Sequence, residues 1–383
     1  MDFVYDSEQD ALKGAVAALL SKAYDSSETR REVTKTDPGW GEKTWQQLAE
    51  MGALGLPFSE EDGGFGAGPV EVAIVAEEVG RVIAPEPYVE SVVLAGALVT
   101  AAGTAEQRAE IIGGIAEGSL VVAVAHTEGG ARYSETASAV TAAGSGDSWT
   151  LTGTKEPVVT GERADLLVVT AALPSGGTGL FLVTPDASGL ARHGYRTVDG
   201  GRAAKVTFAD TPATPLGDAG VDRTDAIALA VAKAQVAYAH EALGAMEQAV
   251  KITVEYLKTR KQFGVPLMTF QALTFRAADL YVQVELTRSI VMWATLVLAD
   301  SDDPAFQIEA AARAKLKVSK ALRHVGQEAI QLHGGIGMTA EYSVGHYTAR
   351  LTVIDHLLGD GAHHLATLST SVADHAEYDP FGE

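Results

Sequence analysis

The chain has 383 residues, 46% of them hydrophobic, and no cysteine; 29 Lys and Arg against 50 Asp and Glu leave a formal charge of −21. That length and apolar content allow two or three packed units with a large core. The charge works against nucleic-acid phosphates and anionic membrane surfaces, and the missing cysteines exclude disulfides, thiolate catalysis and cysteine-ligated metal or iron–sulfur sites.

The start, Met1-Asp2-Phe3-Val4-Tyr5-Asp6, lacks the basic region and apolar core of a secretory leader. The run around Val121–Val124 is too short to span a bilayer, and the longer run from Ala226 is interrupted by Lys233 and Gln235. No membrane insertion and a cytoplasmic location are expected. Residues 7–118 read as helices. Leu12, Val16, Leu19 and Leu20 recur at helical spacing, as do Leu48 and Met51, then Val72, Val75, Ala76 and Val79. Gly63-Gly64 marks a connection between them, and Glu77 and Glu78 are expected on a solvated helix face.

From about Ser119 the texture becomes β-prone: 120–125, 139–142, 149–153, 166–170, 180–183 and 204–208 are short runs separated by Gly, Pro, Ser and Asp. Short strands at turn-punctuated intervals, without intervening helices, predict a small barrel or sandwich rather than a parallel Rossmann sheet. From about Asp222 long helical patterns return over 226–259, 270–299, 305–331 and 344 onward. Lengths of this kind with short links predict an antiparallel four-helix bundle. The expected fold class is α+β and multidomain: an N-terminal all-α unit (1–118), a middle β-barrel or sandwich (119–218) and a C-terminal helical bundle (219–383).

Two motifs stand out in the last unit. One is Arg260-Lys261-Gln262-Phe263-Gly264 followed by Phe270-Gln271; the other runs from Gln331 through Gly334-Gly335 to Glu341, with Arg350 beyond it. Locally the second reads as a glycine-terminated helix end joining two helices. Together with the α–β–α order, the pair resembles the acyl-CoA dehydrogenase family over nearly the whole chain. The resemblance implies that Arg260, Phe263, Gln271, Gln331, Gly334 and Gly335 contact FAD across a subunit interface. The physics agrees: a guanidinium binds a pyrophosphate through charge-assisted bonds, and glycines let backbone N–H groups approach it.

The β unit matches less fully. Thr127 and Glu128 fit the family's strand end beside flavin and thioester, but Gly129-Gly130 stand where proline and a Gly-Ser-Asp run are usual. Thr160 fits a second flavin-ring position, reached from Lys155, while that element's aromatic and asparagine are absent. By the resemblance Thr127 and Thr160 are cofactor-contacting; as residues they are equally compatible with core strands.

The family's reaction removes a Cα proton from an acyl-CoA and passes hydride from Cβ to the flavin. That calls for a carboxylate of raised pKa in a water-poor site. The resemblance puts Asp360 at the base position, with Gly359 and Ala362 where tyrosine and threonine are usual. Aspartate is one methylene shorter than glutamate, withdrawing the carboxylate by roughly 1 Å. The alternative is a turn residue capping the next helix. A second family location for the base, on the first long bundle helix, corresponds to 231–236, which has no carboxylate; Glu241 lies two turns on. His356 and His363 would share a helix face, but no third ligand is evident and no metal is expected.

The resemblance therefore implies FAD-dependent dehydrogenation of an acyl-CoA. The altered Asp360 environment and the retained neighbour-facing motifs resemble the partner chain of heteromeric actinobacterial enzymes of steroid side-chain breakdown. Partners so implied are an acyl-CoA, a homologous chain and electron-transfer flavoprotein. A self-sufficient homotetramer using Asp360, a non-redox acyl-CoA-binding subunit, and a related oxidase or monooxygenase stay open.

Overall fold

A computed structural model describes residues 4–146 and 148–372. Met1, Asp2 and Phe3 of the leader reading, and residues 373–383 of the bundle unit, lie outside the described residues.

The N-terminal unit contains α1 (Ser7–Ala23), α2 (Ser27–Lys35), α3 (Glu42–Glu50), α4 (Pro69–Val82), a π-helical segment (Tyr88–Ala95) running into α5 (Gly96–Ala102), and α6 (Ala105–Ala116). Starts are set by side-chain caps: the Asp6 carboxylate accepts from the N–H groups of Glu8 and Gln9, Gln9 returns a bond to the Asp6 N–H, and Thr104 and Gln107 do the same for α6. Pro69 opens α4 at a position where its missing N–H costs nothing. The apolar stripe of α4 packs on the bundle. Its Glu77 and Glu78, expected in solvent, are instead buried. The reason is a shared set of cations. Arg81 reaches Glu77 at 2.6 Å and Glu78 at 2.8 Å, and also pairs with Glu247, which Arg288 engages as well.

The middle unit has β1 (Val122–Ala125), β2 (Thr141–Ser145), β3 (Ser148–Val159), β4 (Leu166–Ala172), β5 (Thr178–Val183), β6 (Leu190–Arg196) and β7 (Arg202–Pro215). Pairing runs β1-β4-β2-β3-β7-β5, and β5 returns to β4, so the strands close on themselves as a small barrel; β6 flanks β7. Strand β6 had no signal in the sequence, because Leu190–Arg196 is polar and largely exposed. The barrel has its own core around Leu151, Leu167, Phe181, Val206 and Phe208. A register shift between Lys155 and Val158 bends β3, a bulge of the kind that re-aims side chains.

The C-terminal unit has α7 (Thr224–Thr259), a two-stranded turn of β8 (Lys261–Gln262) and β9 (Val265–Pro266), α8 (Gln271–Asp300), α9 (Pro304–His333), α10 (Val344–His356) and α11 (Gly361–Thr370). Helix α7, at 1.5 Å per residue about 54 Å long, is the axis of the molecule and packs against α4, α8, α9 and α10. Two glycines fix its crossing with α4. A Cβ on Gly80 would lie 1.9 Å from the carbonyl oxygen of Glu241, and one on Gly244 would lie 2.0 Å from that of Glu77. Helix α8 is long and apolar enough to cross a membrane, yet it packs on α7 and α9 as part of the bundle.

Candidate functional site

A cavity of about 280 Å³ opens where the π-helical segment, the barrel, α7 and the turn between α10 and α11 meet. Leu94, Val124, Pro157, Val159, Leu357 and Leu358 give it apolar walls; Glu90, His126, Thr127, Arg132, Tyr133, Tyr238 and His356 supply the polar atoms. The bulge in β3 delivers Pro157 and Val159 to the wall, and the end of β1 leads into Thr127.

Behind Thr127 the backbone is held by an ion pair. Lys155 is wholly buried and donates to the Glu128 carboxylate at 2.7 Å, to the His126 carbonyl at 3.0 Å and to the Thr170 hydroxyl at 2.9 Å. Glu128 in turn accepts from the N–H groups of Ser138, Ala139 and Val140. Burial works to raise the Glu128 pKa, but Lys155 and these N–H groups outweigh it and bring it down to about 2. Burial depresses Lys155 to about 8, with Glu128 opposing. His126, enclosed and beside that ammonium, falls to about 4 and is neutral at pH 7.

The turn carrying Asp360 is fixed from both sides. Lys315 donates to the carbonyls of Ile354 at 2.8 Å and Leu357 at 2.9 Å, and the Gln235 amide donates to that of Leu358 at 2.7 Å. Leu358 and Gly359 take left-handed φ values of 55° and 113°. Asp360 is the N-cap of α11: its carboxylate accepts from the His363 N–H at 2.9 Å and from the Tyr133 hydroxyl at 3.4 Å. Burial tends to raise its pKa, but the His363 and Ala362 N–H groups and Tyr133 prevail and lower it. It stands beside the cavity, bound to its rim residue Tyr133. His356 ends α10 and His363 belongs to α11, so the shared helix face expected for them does not exist. Of the expected residues, Thr127 lines the cavity. Thr160 is buried at the start of a turn with φ of 56°, donating to the Val159 carbonyl.

The other expected residues gather at the far end of the bundle. Tyr256, one turn before Arg260, stacks on His333, the residue before Gly334, with ring centroids 4.5 Å apart. This brings the two motifs together. Arg260, Phe263, Gln271, Gln331, Gly334 and Gly335 are all exposed, Phe263 to 91%. Among the described residues the side chains of Arg260, Gln271 and Gln331 meet no ion-pair or hydrogen-bond partner. A Cβ on Gly334 or Gly335 would meet only open space. From Tyr238 in the cavity wall to Arg260 is 22 residues of α7, about 33 Å. Arg350 does not join this surface. Its guanidinium is wedged between Glu241 at 2.6 Å and Asp199 at 3.1 Å, and Glu241 is not among the residues lining the cavity.

Two family models match the chain: "Acyl-CoA dehydrogenase, N-terminal domain" over residues 6–119 and "Acyl-CoA dehydrogenase, C-terminal domain" over residues 225–372.

The chain belongs to the acyl-CoA dehydrogenase family.

Among its relatives is the acyl-CoA dehydrogenase IpdE2 of Mycobacterium tuberculosis, 31% identical over 347 residues and covering 90% of each chain. A solved steroid acyl-CoA dehydrogenase variant, Tcur3481-Tcur3483, is 33% identical with a TM-score of 0.87, covering 96% of this chain and 98% of that one. A chain of the ChsE4-ChsE5 complex from Mycobacterium tuberculosis is 27% identical with a TM-score of 0.88, covering 98% and 100%.

Acyl-CoA dehydrogenases use FAD to oxidise a CH–CH bond of an acyl thioester. The residues present fit that cofactor. An unpartnered guanidinium at Arg260 beside the open glycines suits a pyrophosphate, and the apolar cavity edged by Thr127 suits a ring system. When bound, FAD supplies the hydride acceptor. Sequence reasoning missed Glu90, Tyr133 and Tyr238. The signal for Glu90 was a lone carboxylate inside the apolar run Tyr88-Val89-Glu90-Ser91-Val92-Val93.

Proposed function

We propose that the chain is one subunit of a hetero-oligomeric, FAD-dependent acyl-CoA dehydrogenase, with its own catalytic base weakened, and that it completes the flavin site of a homologous partner chain. The observation that carries this is Asp360. A general base at this position needs a carboxylate whose pKa is raised toward the working pH; Asp360 is lowered and committed to a helix cap. Glu241, two turns beyond the second family location for the base, is ion-paired with Arg350.

Arg260, Phe263, Gln271, Gln331, Gly334 and Gly335 would hold the neighbour's cofactor, since about 33 Å of helix separates them from the chain's own cavity. Thr127 and Thr160 would face flavin bound at that cavity. An acyl-CoA is the substrate and electron-transfer flavoprotein the acceptor. The ChsE4-ChsE5 complex, in which a similar chain takes part, supports a heteromeric assembly. A cytoplasmic location belongs to the same reading.

The test is purification alone and with the homologous product of a neighbouring gene. The chain alone should carry little flavin absorbance and no dehydrogenase activity, and co-expression should restore both. Arg260→Ala should lower the flavin content of the complex about 10-fold or more, the worth of a charge-assisted hydrogen bond. Full activity of the isolated chain, abolished by Asp360→Asn, would instead establish the self-sufficient enzyme.

A further inference from the structure

The cavity wall holds one polar group that neither the fold nor the ion-pair networks account for. Glu90 sits in the π-helical segment with 8% of its surface exposed, and it is one of the residues lining the cavity. One carboxyl oxygen accepts from the Tyr238 hydroxyl at 2.8 Å. The other makes no hydrogen bond to another described residue; Glu90's own backbone N–H is the one further donor near it. Leu94 and Val124 add apolar surface to the same cavity, whose charged and titratable lining besides Glu90 is His126, Arg132, Tyr133, Tyr238 and His356.

A carboxyl oxygen that meets no other residue at the wall of a cavity is costly to keep dry, and an apolar residue at this position would avoid that cost. A carboxyl kept there needs a ligand atom to meet it. Burial, the dominant influence, raises the Glu90 pKa; Arg350 opposes from further off and Glu241 adds to the rise. A carboxyl accepts from a ligand hydroxyl, and in the protonated form that burial favours it also donates one O–H. That suits a carbonyl or hydroxyl oxygen, and it leaves a plain alkyl chain facing an unmatched dipole.

We infer that Glu90, oriented by Tyr238, recognises an oxygen substituent on the acyl group, so that the preferred thioester is a hydroxy- or oxo-acyl-CoA rather than its alkyl counterpart. This rests on the acyl-CoA reading of the cavity.

The experiment compares binding of hexanoyl-CoA with hexanoyl-CoA thioesters bearing one hydroxyl or keto group at the fourth, fifth or sixth carbon. It is done by calorimetry on the full chain in whichever assembly carries FAD, with free CoA as reference. At least one oxygenated thioester should bind about 10-fold tighter than hexanoyl-CoA, the worth of one matched hydrogen bond. Glu90→Leu should remove that preference by weakening the oxygenated ligand and strengthening the alkyl one. Glu90→Gln, which keeps a donor and an acceptor, should retain most of it.

Equal binding of all acyl-CoAs by the parent protein, each tighter than CoA, overturns the inference and leaves the acyl-CoA site standing. No binding of any thioester overturns both. Loss of flavin reduction in Glu90→Gln with binding intact would make Glu90 the base and overturn its assignment to recognition.

Discussion

The Lys155 ammonium and the Glu128 carboxylate meet 2.7 Å apart in the barrel wall, with side-chain exposures of 0% and 3%. Two charges this enclosed are costly singly and tolerable only together. Lys155→Met should therefore strand Glu128 and destabilise the protein by about 3–5 kcal/mol, read as a lower denaturant midpoint. The double variant Lys155→Met with Glu128→Leu should recover part of the loss. Because Thr127 hangs on the same pair, the single variant should also weaken ligand binding at the cavity.

Glu86 gives a pH signature. Its carboxyl accepts from the Tyr24 hydroxyl and from the Gly41 N–H at 3.1 Å. Burial, ahead of these opposing bonds, lifts its pKa from 4.5 to about 7. The folded state then holds a proton that the unfolded chain has released. The contribution is full below pH 4.5 and is lost as pH rises to about 7. Glu86→Gln should remove this slope, so the variant gains relative to the parent by a few kcal/mol between those limits. Parallel stability–pH curves for the two proteins would exclude the effect.

Asp360 can be separated into cap and charge. Asp360→Asn keeps an acceptor for the His363 N–H and should leave stability within a few tenths of a kcal/mol; Asp360→Ala should cost about 1 kcal/mol. If both substitutions lower the melting temperature equally, the cap contributes nothing.

The crossing of α4 and α7 admits no side chain. Gly80→Ala would drive a methyl to 1.9 Å from the Glu241 carbonyl oxygen. The helices must part, at a cost of about 1–3 kcal/mol or more. Gly14, whose Cβ would meet nothing within 4 Å, is the control. Gly14→Ala in α1 should be neutral or slightly stabilising in the same thermal scan.

The α–β–α order, the helix positions and the short-stranded middle unit were legible because they depend on local periodicity and turn chemistry; that the strands close as a barrel rather than a sandwich was not, since it rests on the β4–β5 pairing. Strand β6 was not, since its partner β7 supplies the order that its polar residues do not signal. Glu77 and Glu78 were misread for a related reason. Their cations, Lys13, Arg81 and Arg288, come partly from distant elements, and pairing across elements leaves no trace in helical spacing. The same holds at the site. The motifs around Arg260 and Gln331 are contiguous and could be seen. Glu90 and Tyr238 are brought together across 148 positions, and only packing reveals them. Asp360 was weighed as base or cap, and the cap depends on an N–H three residues away.

The placement of the cavity and the Arg260 surface at opposite ends of α7 has an arithmetical consequence. Each chain offers half of one cofactor site at either end, so an assembly counts its flavins by junctions rather than by chains. If a heteromeric assembly fills both kinds of junction, flavin absorbance should read one cofactor per chain; if it fills only those built on the partner's cavity, one for every two chains.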